Sequence, residues 1–293
     1  MKSLVIALAV LICMHALAAD LKETQAQVFL YRTPSSDADH RFSYEVELLR
    51  LALEKTINEY GAYQLLPGKS SNLPRAMAIA RQSEHPYIFK TSYNPGLTGD
   101  FHYPKFPIDR GIFSYRLCFV NEHRAADIAK ADTRTALQKF NIGQGVGWLD
   151  NKILTNAGFT VREAPSYESL FPMLSAGRFD MVCRAQNEII NEWQNFGHLG
   201  GFELDTSFAL YYPLPRFFWV HKSKPAAFAR IQEGLERAYE DGSALQLWHQ
   251  YYDEALAGVS LKGRRIFVLP NPYLKDIDTR YQAYFLTENV SRD

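Results

Sequence analysis

Residues 175–182 read SAGRFDMV, and this stretch decides the fold class of the chain. Just before it, residues 166–176 place Leu170, Phe171 and Leu174 on one face of a helix. Gly177 then allows the helix to end in a left-handed turn. Residues 179–183 (FDMVC) form a short apolar run typical of a buried strand. A helix that leads directly into a buried strand is the unit from which α/β proteins are built.

The same alternation of helix and strand patterns extends over the whole chain. No fixed-period repeat and no linker rich in Pro, Gly or Ser divides it. We therefore predict an α/β fold. The main predicted elements are strands over Gln27–Tyr31 and residues 87–90, 112–120, 217–220 and 265–269, and helices over residues 42–60, 224–241 and 243–252.

Composition excludes some classes of function. The 293 residues carry 32 Lys+Arg and 32 Asp+Glu, so the formal charge is zero. Basic residues are not clustered, so we expect no nucleic-acid partner. Aromatic residues make up 14% of the chain, an excess that either fills the core or lines a pocket for a small organic ligand.

The amino terminus has the pattern of an export signal. Lys2 precedes an apolar stretch over residues 4–19 that ends in Ala16, Leu17, Ala18 and Ala19. A basic start, a short apolar region and small residues at the end are typical of a cleavable signal peptide, which we assign to residues 1–19. No later segment reaches 18 apolar residues, so we predict no membrane span and a periplasmic location.

Two cysteines, Cys118 and Cys183, remain after cleavage. No cysteine or histidine spacing of a zinc site is present, so we predict no metal and no cofactor. An exported pair permits one disulfide. Both cysteines lie in apolar runs, however, and on that ground we favour two buried free thiols.

Four stretches carry a resemblance to a known family. They are residues 107–120 (PIDRGIFSYRLCFV), 175–182, 211–235 (YYPLPRFFWVHKSKPAAFARIQEGL) and 240–252 (EDGSALQLWHQYY). In their order and spacing they resemble the family 3 extracellular solute-binding proteins of bacterial ABC importers. Within that family the chain is similar to a divergent branch labelled only as transporter substrate-binding domain.

The resemblance implies a two-lobed α/β architecture, the periplasmic-binding-protein type II fold, with a hinge of two crossing strands. Residues 20–112 and 222–270 would form the first lobe, residues 113–221 the hinge strands and second lobe, and residues 271–293 a C-terminal tail. Ligand binding would close the hinge. In open α/β sheets the binding crevice lies beyond the carboxyl ends of the strands, and we place candidate residues by that rule.

In the first lobe the candidates are Arg32, Thr91, Ser92 and Tyr93. Arg32 directly follows the first strand, where its guanidinium either clamps an anion or lies on a surface turn. Family members use a hydroxyl and a backbone N–H at the positions of Thr91 and Ser92, followed by an Arg that grips an α-carboxylate. This chain reads TSYNPGLTGDF and lacks that Arg, which argues against an α-amino acid ligand. Tyr93 would stack on a ring or sugar.

In the second lobe the candidates are Trp148, Asp150, Arg184 and Tyr212. Trp148 would wall the cleft, and Asp150 is either a helix cap or a ligand acceptor. Arg184 ends the FDMVC strand, and Ala185 stands where the family often has an Asp that pairs with a ligand ammonium. Arg184 would therefore favour an anionic or polar ligand, and we expect its replacement by alanine to abolish ligand binding without changing the unliganded melt. Tyr212 either stacks on the ligand or packs the hinge.

These observations predict a monomeric periplasmic solute-binding protein that closes around a small polar or anionic organic molecule without catalysis. Its membrane partner would be either an ABC permease or a sensor. The alternative is an enzyme on the same fold, such as a lyase similar to cyclohexadienyl dehydratases. No GxSxG or HExxH motif is present, so no catalytic residue is assigned. Turnover of the ligand would distinguish the two hypotheses.

Overall fold

The computed structural model describes residues 26–33 and 43–285, so the predicted signal peptide over residues 1–19 lies outside the described residues. Two separate β-sheets, each packed against helices, organise the described chain. This confirms the predicted α/β class. None of the helices within these residues is long and apolar enough to cross a membrane.

The strands and helices alternate much as the sequence predicts. The described strands are β1 (Gln27–Tyr31), β2 (Tyr63–Pro67), β3 (Tyr87–Ser92), β4 (Phe101–His102), β5 (Tyr115–Asn121), β6 (Ile142–Gly145), β7 (Val161–Ala164), β8 (Met181–Ala185), β9 (Phe202–Leu204), β10 (Phe208–Tyr211), β11 (Arg216–His221) and β12 (Arg265–Val268). The described α-helices are α1 (Ser43–Glu54), α2 (Ile57–Tyr60), α3 (Leu73–Gln82), α4 (Ala125–Ala129), α5 (Arg134–Leu137), α6 (Leu149–Asn156), α7 (Leu170–Ser175), α8 (Ile189–Phe196), α9 (Pro225–Glu240) and α10 (Ser243–Ala257).

The first lobe is built on a five-stranded sheet with the order β2-β1-β3-β11-β4. β1 runs parallel to β2 and β3, whereas β11 is antiparallel to β3 and β4. Helices α1, α9 and α10 bury their apolar faces in one core with Phe29 of β1 and Phe218 of β11. Because β1 and β3 are parallel neighbours, their carboxyl ends meet at one edge of the sheet.

The second lobe is built on a larger sheet with the order β12-β10-β5-β8-β6-β7, and β9 pairs with β5. Strand β8, which contains the Met-Val-Cys run, lies between β5 and β6 and is buried along its whole length. It is parallel to β6 and antiparallel to β5. Apolar clusters cover both faces of this sheet, which explains why its central strands read as continuous apolar runs.

Two segments cross between the lobes and contact each other. The outgoing one passes through a 3₁₀ turn at Ile112–Ser114 before β5 begins, so the strand predicted from residue 112 starts three residues later. The returning segment joins β10 to β11. The backbone N–H of Tyr212 donates to the Ser114 carbonyl (3.1 Å), and the Leu214 N–H donates to Ser114 Oγ (3.3 Å). These two hydrogen bonds join the crossing strands at the hinge.

The chain after α10 differs from the expected division into lobes. β12 pairs with β10 in the second sheet, although residues 222–270 were expected in the first lobe. The segment then returns, and Ile277 and Tyr281 are buried in a first-lobe core with Phe217 and Trp219. Leu269, Ile277 and Tyr281 are buried because exposing apolar side chains of this size to water is unfavourable. This segment is therefore part of the folded core and not a separate C-terminal tail.

Cys118 and Cys183 form a disulfide, so the prediction of two free thiols is wrong. The two residues face each other in the antiparallel pairing of β5 with β8. Sequence could not show this, because the two strands are 65 residues apart and their register is set by tertiary pairing.

Candidate functional site

An open cavity of about 620 Å³ lies between the two lobes, beside the crossing segments. We call it the basic cavity, because five of its lining side chains are basic and two are acidic. Its lining residues are Arg32, Leu73, Lys90, Thr91, Ser92, Phe113, Arg116, Trp148, Leu149, Asp150, Arg184, Glu188 and Arg216.

The first lobe supplies one wall from the carboxyl ends of β1 and β3. Arg32 follows β1, and its Nε donates to the Ser71 carbonyl at 3.0 Å, which fixes the guanidinium over the strand end. Thr91 and Ser92 end β3, and Lys90 precedes them. Lys90 forms a buried ion pair with Glu45 of α1, which lies behind the wall. The wall therefore presents hydroxyl and cationic groups to the cavity.

The second lobe supplies the opposite wall from the turn between β6 and α6. Trp148 lies on Gly145, where an added Cβ would come 2.4 Å from the indole. Gly147 has φ of 78°, a conformation that a side chain would strain. The two glycines let the indole lie close to the backbone at the helix start. It also lies against Arg184, whose guanidinium carbon is 4.7 Å from the ring centre.

Arg184 is held by two carboxylates from α8 and the turn before it. Its Nε donates to both carboxylate oxygens of Glu192, at 2.8 and 3.0 Å. Nη2 forms an ion pair with Glu188 Oε2 at 2.6 Å but has no hydrogen-bond partner in the described chain. Burial by itself lowers the pKa of Arg184, but the negative charges of Glu188 and Glu192 outweigh it and raise that pKa.

The crossing segments form the back of the cavity. Phe113 lies under two guanidinium groups, with Arg216 3.7 Å and Arg116 5.6 Å from its ring centre. Arg116 pairs with Asp150 at 2.8 Å, and the Tyr212 hydroxyl donates to the same Asp150 oxygen at 2.7 Å. Nε of Arg116 is buried and has no hydrogen-bond partner among the described residues.

The two hinge arginines differ in their pKa shifts. Burial lowers the pKa of Arg116, but the charge of Asp150 outweighs it and the net shift is upward. For Arg216 burial prevails over the charge of Asp109, and the pKa is lowered. Burial likewise raises the pKa of Tyr212 well above its usual value, so the hydroxyl stays neutral and can donate to Asp150. Both guanidinium groups remain charged at neutral pH.

Six of the eight candidates from sequence lie together on this cavity. These are Arg32, Thr91, Ser92, Trp148, Asp150 and Arg184. Tyr93 and Tyr212 do not line it. Tyr93 is buried against Trp219 and Tyr103, because it continues the face of β3 that carries Tyr87 and Phe89 into the core. Tyr212 is fully buried behind Asp150.

Sequence reasoning missed part of the lining. Lys90 and Arg216 are charged residues within apolar strand runs, and that contrast is the signal by which they could have been found. Arg116 also lines the cavity, from the start of β5. Glu188 had no signal of its own, since it lies in the polar stretch before α8. Within the described residues no group of side chains has the composition of a metal site.

Comparison with solved structures identifies the fold. An ancestral arginine-binding protein bound to arginine superimposes with a TM-score of 0.58 at 12% identity, over 78% of this chain and 99% of that one. The GluR0 ligand-binding core from Nostoc punctiforme in complex with L-glutamate gives a TM-score of 0.56 at 16% identity, with the same coverage. A histidine kinase sensor domain with similarity to periplasmic binding proteins gives 0.56 at 13% identity, over 78% and 96% of the two chains.

These likenesses establish the two-lobed fold of type II periplasmic binding proteins, as the sequence resemblance implied. No protein-family model matches the chain. No curated protein matches it in sequence either. The function therefore has to be argued from the cavity itself.

Proposed function

We propose that this chain is an exported solute-binding protein whose lobes close on a small polar or anionic organic molecule in the basic cavity. The protein would act in the periplasm as a monomer and deliver its ligand, or its ligand-bound state, to an ABC permease or a membrane sensor. The similar structures include an arginine-binding protein and a kinase sensor domain, which supports either partner.

One observation carries the proposal: both lobes and the hinge direct basic side chains into a single cavity. Three further carboxylates, Glu45, Asp109 and Glu192, lie behind these basic groups, so five formal negative charges match the five positive ones overall. The charges are nevertheless unevenly distributed, because basic side chains outnumber acidic ones on the cavity lining. An anionic ligand would therefore meet N–H donors first, and hydrogen bonds to charged donors are the stronger kind.

Closure would follow from contacts that only the closed state makes. A ligand held by Arg32, Thr91 and Ser92 on one wall would reach Trp148 and Arg184 only when the lobes approach. Such differential contacts are what shift an open–closed equilibrium. Asp150 and Glu188, the carboxylates that line the cavity, are each paired with an arginine, and we propose binding without turnover.

Native mass spectrometry of protein purified from the periplasm, followed by a thermal-shift screen of acidic, aromatic and amino-acid solutes, would test this proposal. We expect a stoichiometric ligand that is recovered chemically unchanged and raises the melting temperature. The variant Arg32→Gln should weaken binding about ten-fold, the effect of losing roughly 1.4 kcal/mol. Arg75→Gln, an exposed arginine on α3, is the matched control.

Two results would contradict the proposal. Conversion of the bound compound into a product during incubation would favour the enzyme alternative. Equal affinity in Arg32→Gln and Arg75→Gln would move the ligand away from the basic cavity.

A further inference from the structure

A second cavity of about 580 Å³ adjoins the basic cavity. The two share Phe113 and Glu188 in their linings. We call it the aromatic cavity, because four of its lining residues are tyrosines. It is lined by Tyr44, Phe113, Tyr167, Asn187, Glu188, Asn191, Glu192, Asn195, Tyr251 and Tyr252.

The charged groups of the aromatic cavity are hydrogen-bond acceptors. Its charged lining residues are Glu188 and Glu192, and no basic side chain is part of the lining. Both glutamates pair with Arg184, which lines the basic cavity, so the three groups together carry one net negative charge. Asn187 also lines it and is 6% exposed. The Asn187 amide oxygen has no hydrogen-bond partner among the described residues. A buried acceptor without a donor is costly, so this wall favours a ligand that supplies one.

The aromatic walls suit a cation. Tyr44 lies 4.8 Å from Tyr252 and 5.7 Å from Tyr251, measured between ring centres. Burial raises the pKa of Tyr44 and of Tyr252 well above the usual value, so both rings are neutral phenols. Neutral phenol rings attract an ammonium group to their faces, most strongly where water is excluded.

The partition between the cavities is itself polar. Arg184 lines the basic cavity, Glu192 lines the aromatic cavity, and Glu188 lines both. The buried ion pairs of Arg184 with the two glutamates therefore place positive charge toward one cavity and negative charge toward the other. A ligand lying along the partition would be stabilised if its own charges ran in the opposite sense.

We propose that the two cavities are one bipartite site for an elongated zwitterion, with its anionic group in the basic cavity and an ammonium group in the aromatic cavity. This inference rests on the proposed function. A ligand with both charges on neighbouring atoms would place them in a single cavity and leave the other unfilled. The chain between the charged groups would pass Phe113, which borders both cavities.

Isothermal titration calorimetry with three matched probe series would test the inference. The probes are straight-chain ω-amino carboxylates with two to eight carbons, the alkyl carboxylates of the same lengths, and the alkyl amines. At one intermediate length we expect the amino carboxylate to bind about ten-fold more tightly than the alkyl carboxylate, a gain within the range of a desolvated cation–aromatic contact. The shortest amino carboxylate should show no such gain.

A pair of variants would locate the ammonium group. Asn191 is exposed and lines the aromatic cavity, so Asn191→Lys adds a positive charge there without disturbing the core. In this variant the amino carboxylate should bind no more tightly than the alkyl carboxylate of the same length. Asn58→Lys adds the same charge on the exposed face of α2, and it should leave the ratio unchanged.

The outcomes separate the two proposals. Binding of alkyl carboxylates with no added gain from the ammonium at any length would overturn the bipartite site and leave the solute-binding function standing. A gain that survives Asn191→Lys would also overturn it. If no carboxylate of either series binds, the bipartite site is also overturned, whereas the solute-binding function is decided separately by native mass spectrometry and the thermal-shift screen.

Discussion

Two ion clusters contribute to the walls of the basic cavity, and they are built differently. In the second-lobe cluster Arg184 is gripped by Glu188 and Glu192 at 2.6 and 2.8 Å. The first-lobe cluster joins Glu45, Lys90, Asp109 and Arg216, and the last of these lies 3.7 Å from Glu45 and 4.0 Å from Asp109. In the described chain one carboxylate oxygen each of Glu45 and Asp109 lacks a hydrogen-bond partner, as does Nη2 of Arg184 in the other cluster, so the contrast lies in the ion-pair distances of the two arginines.

The pKa shifts of the two arginines express the same contrast. The carboxylate pair raises the pKa of Arg184 against the effect of burial, whereas burial prevails at Arg216 and lowers its pKa. A tightly paired cluster keeps one geometry, while a loosely paired one gains from an added partner. We infer that the second-lobe cluster is mainly a fixed framework, and that the first-lobe cluster is the more responsive to ligand and pH.

The largest expected effect is that of Arg184→Ala on stability. The substitution leaves Glu188 and Glu192 buried without their cation, and breaking a buried pair in this way costs about 3–5 kcal/mol. The melting temperature should fall by roughly 10 °C in a chain of this size. This replaces the expectation from sequence that the unliganded melt would not change, which assumed that Arg184 was free to meet a ligand.

Thermal unfolding without ligand measures this effect. Arg178→Ala removes an exposed arginine from the same lobe and should change the free energy of unfolding by less than about 0.5 kcal/mol. Equal melting temperatures for the two variants would mean that the second-lobe cluster is not a framework.

A second test of the framework uses the disulfide between Cys118 and Cys183, which also belongs to the second lobe. It closes a loop over a sequence separation of 65 residues, for which chain entropy predicts about 4 kcal/mol and typical measured values are about 2–4 kcal/mol. Reduction should therefore lower stability by about that amount.

Hydrogen exchange under reducing conditions would show where the stability is lost. We expect amide protection to fall in β5 and β8 while β1 and β3 of the first lobe keep theirs. The variant Cys118→Ala with Cys183→Ala, which reducing agent cannot affect further, is the control. A uniform loss over both lobes would contradict the assignment of the disulfide to one framework.

The sequence predicted the strands and helices better than it predicted the two ion clusters. Apolar runs indicated β5 and β8, because a strand buried on both faces is apolar along its length whichever strands it pairs with. Helix α8 was missed, because the stretch QNEIINEWQNF is polar except for the residues that face the core. Its glutamates acquire their role only by meeting Arg184, and such a contact has no local signature.

Errors of one or two residues at strand ends also moved candidate residues. The predicted strand over residues 87–90 extends to Ser92, and Tyr93 lies in the core instead of the cleft. Residues two apart along a strand share a face, so Tyr93 continues the buried face of Tyr87 and Phe89. The residues at the ends of β1 and β8 were placed on the cavity because the apolar runs before them end sharply.

The smallest effect concerns pH and the first-lobe cluster. Burial raises the pKa of Asp109 to about 6, from an ordinary 3.8, and the charge of Arg216 offsets only part of that. The folded state then binds the proton more tightly than the unfolded state between these two values, so the contribution of Asp109 to stability falls as pH rises from about 4 to about 6. A shift of this size corresponds to roughly 2–3 kcal/mol.

Asp109→Asn imitates the protonated group and should abolish this dependence. The variant should gain roughly 2–3 kcal/mol of stability relative to the parent protein between pH 4 and pH 7.5, as measured by urea unfolding across that range. Asp132→Asn, which removes an exposed carboxylate, should show no such gain. If instead the parent protein becomes more stable than the Asp109→Asn variant as pH rises, Asp109 is held as a tight ion pair with Arg216. The two clusters would then be alike, and the inference that the first-lobe cluster is the more responsive to ligand and pH would be wrong.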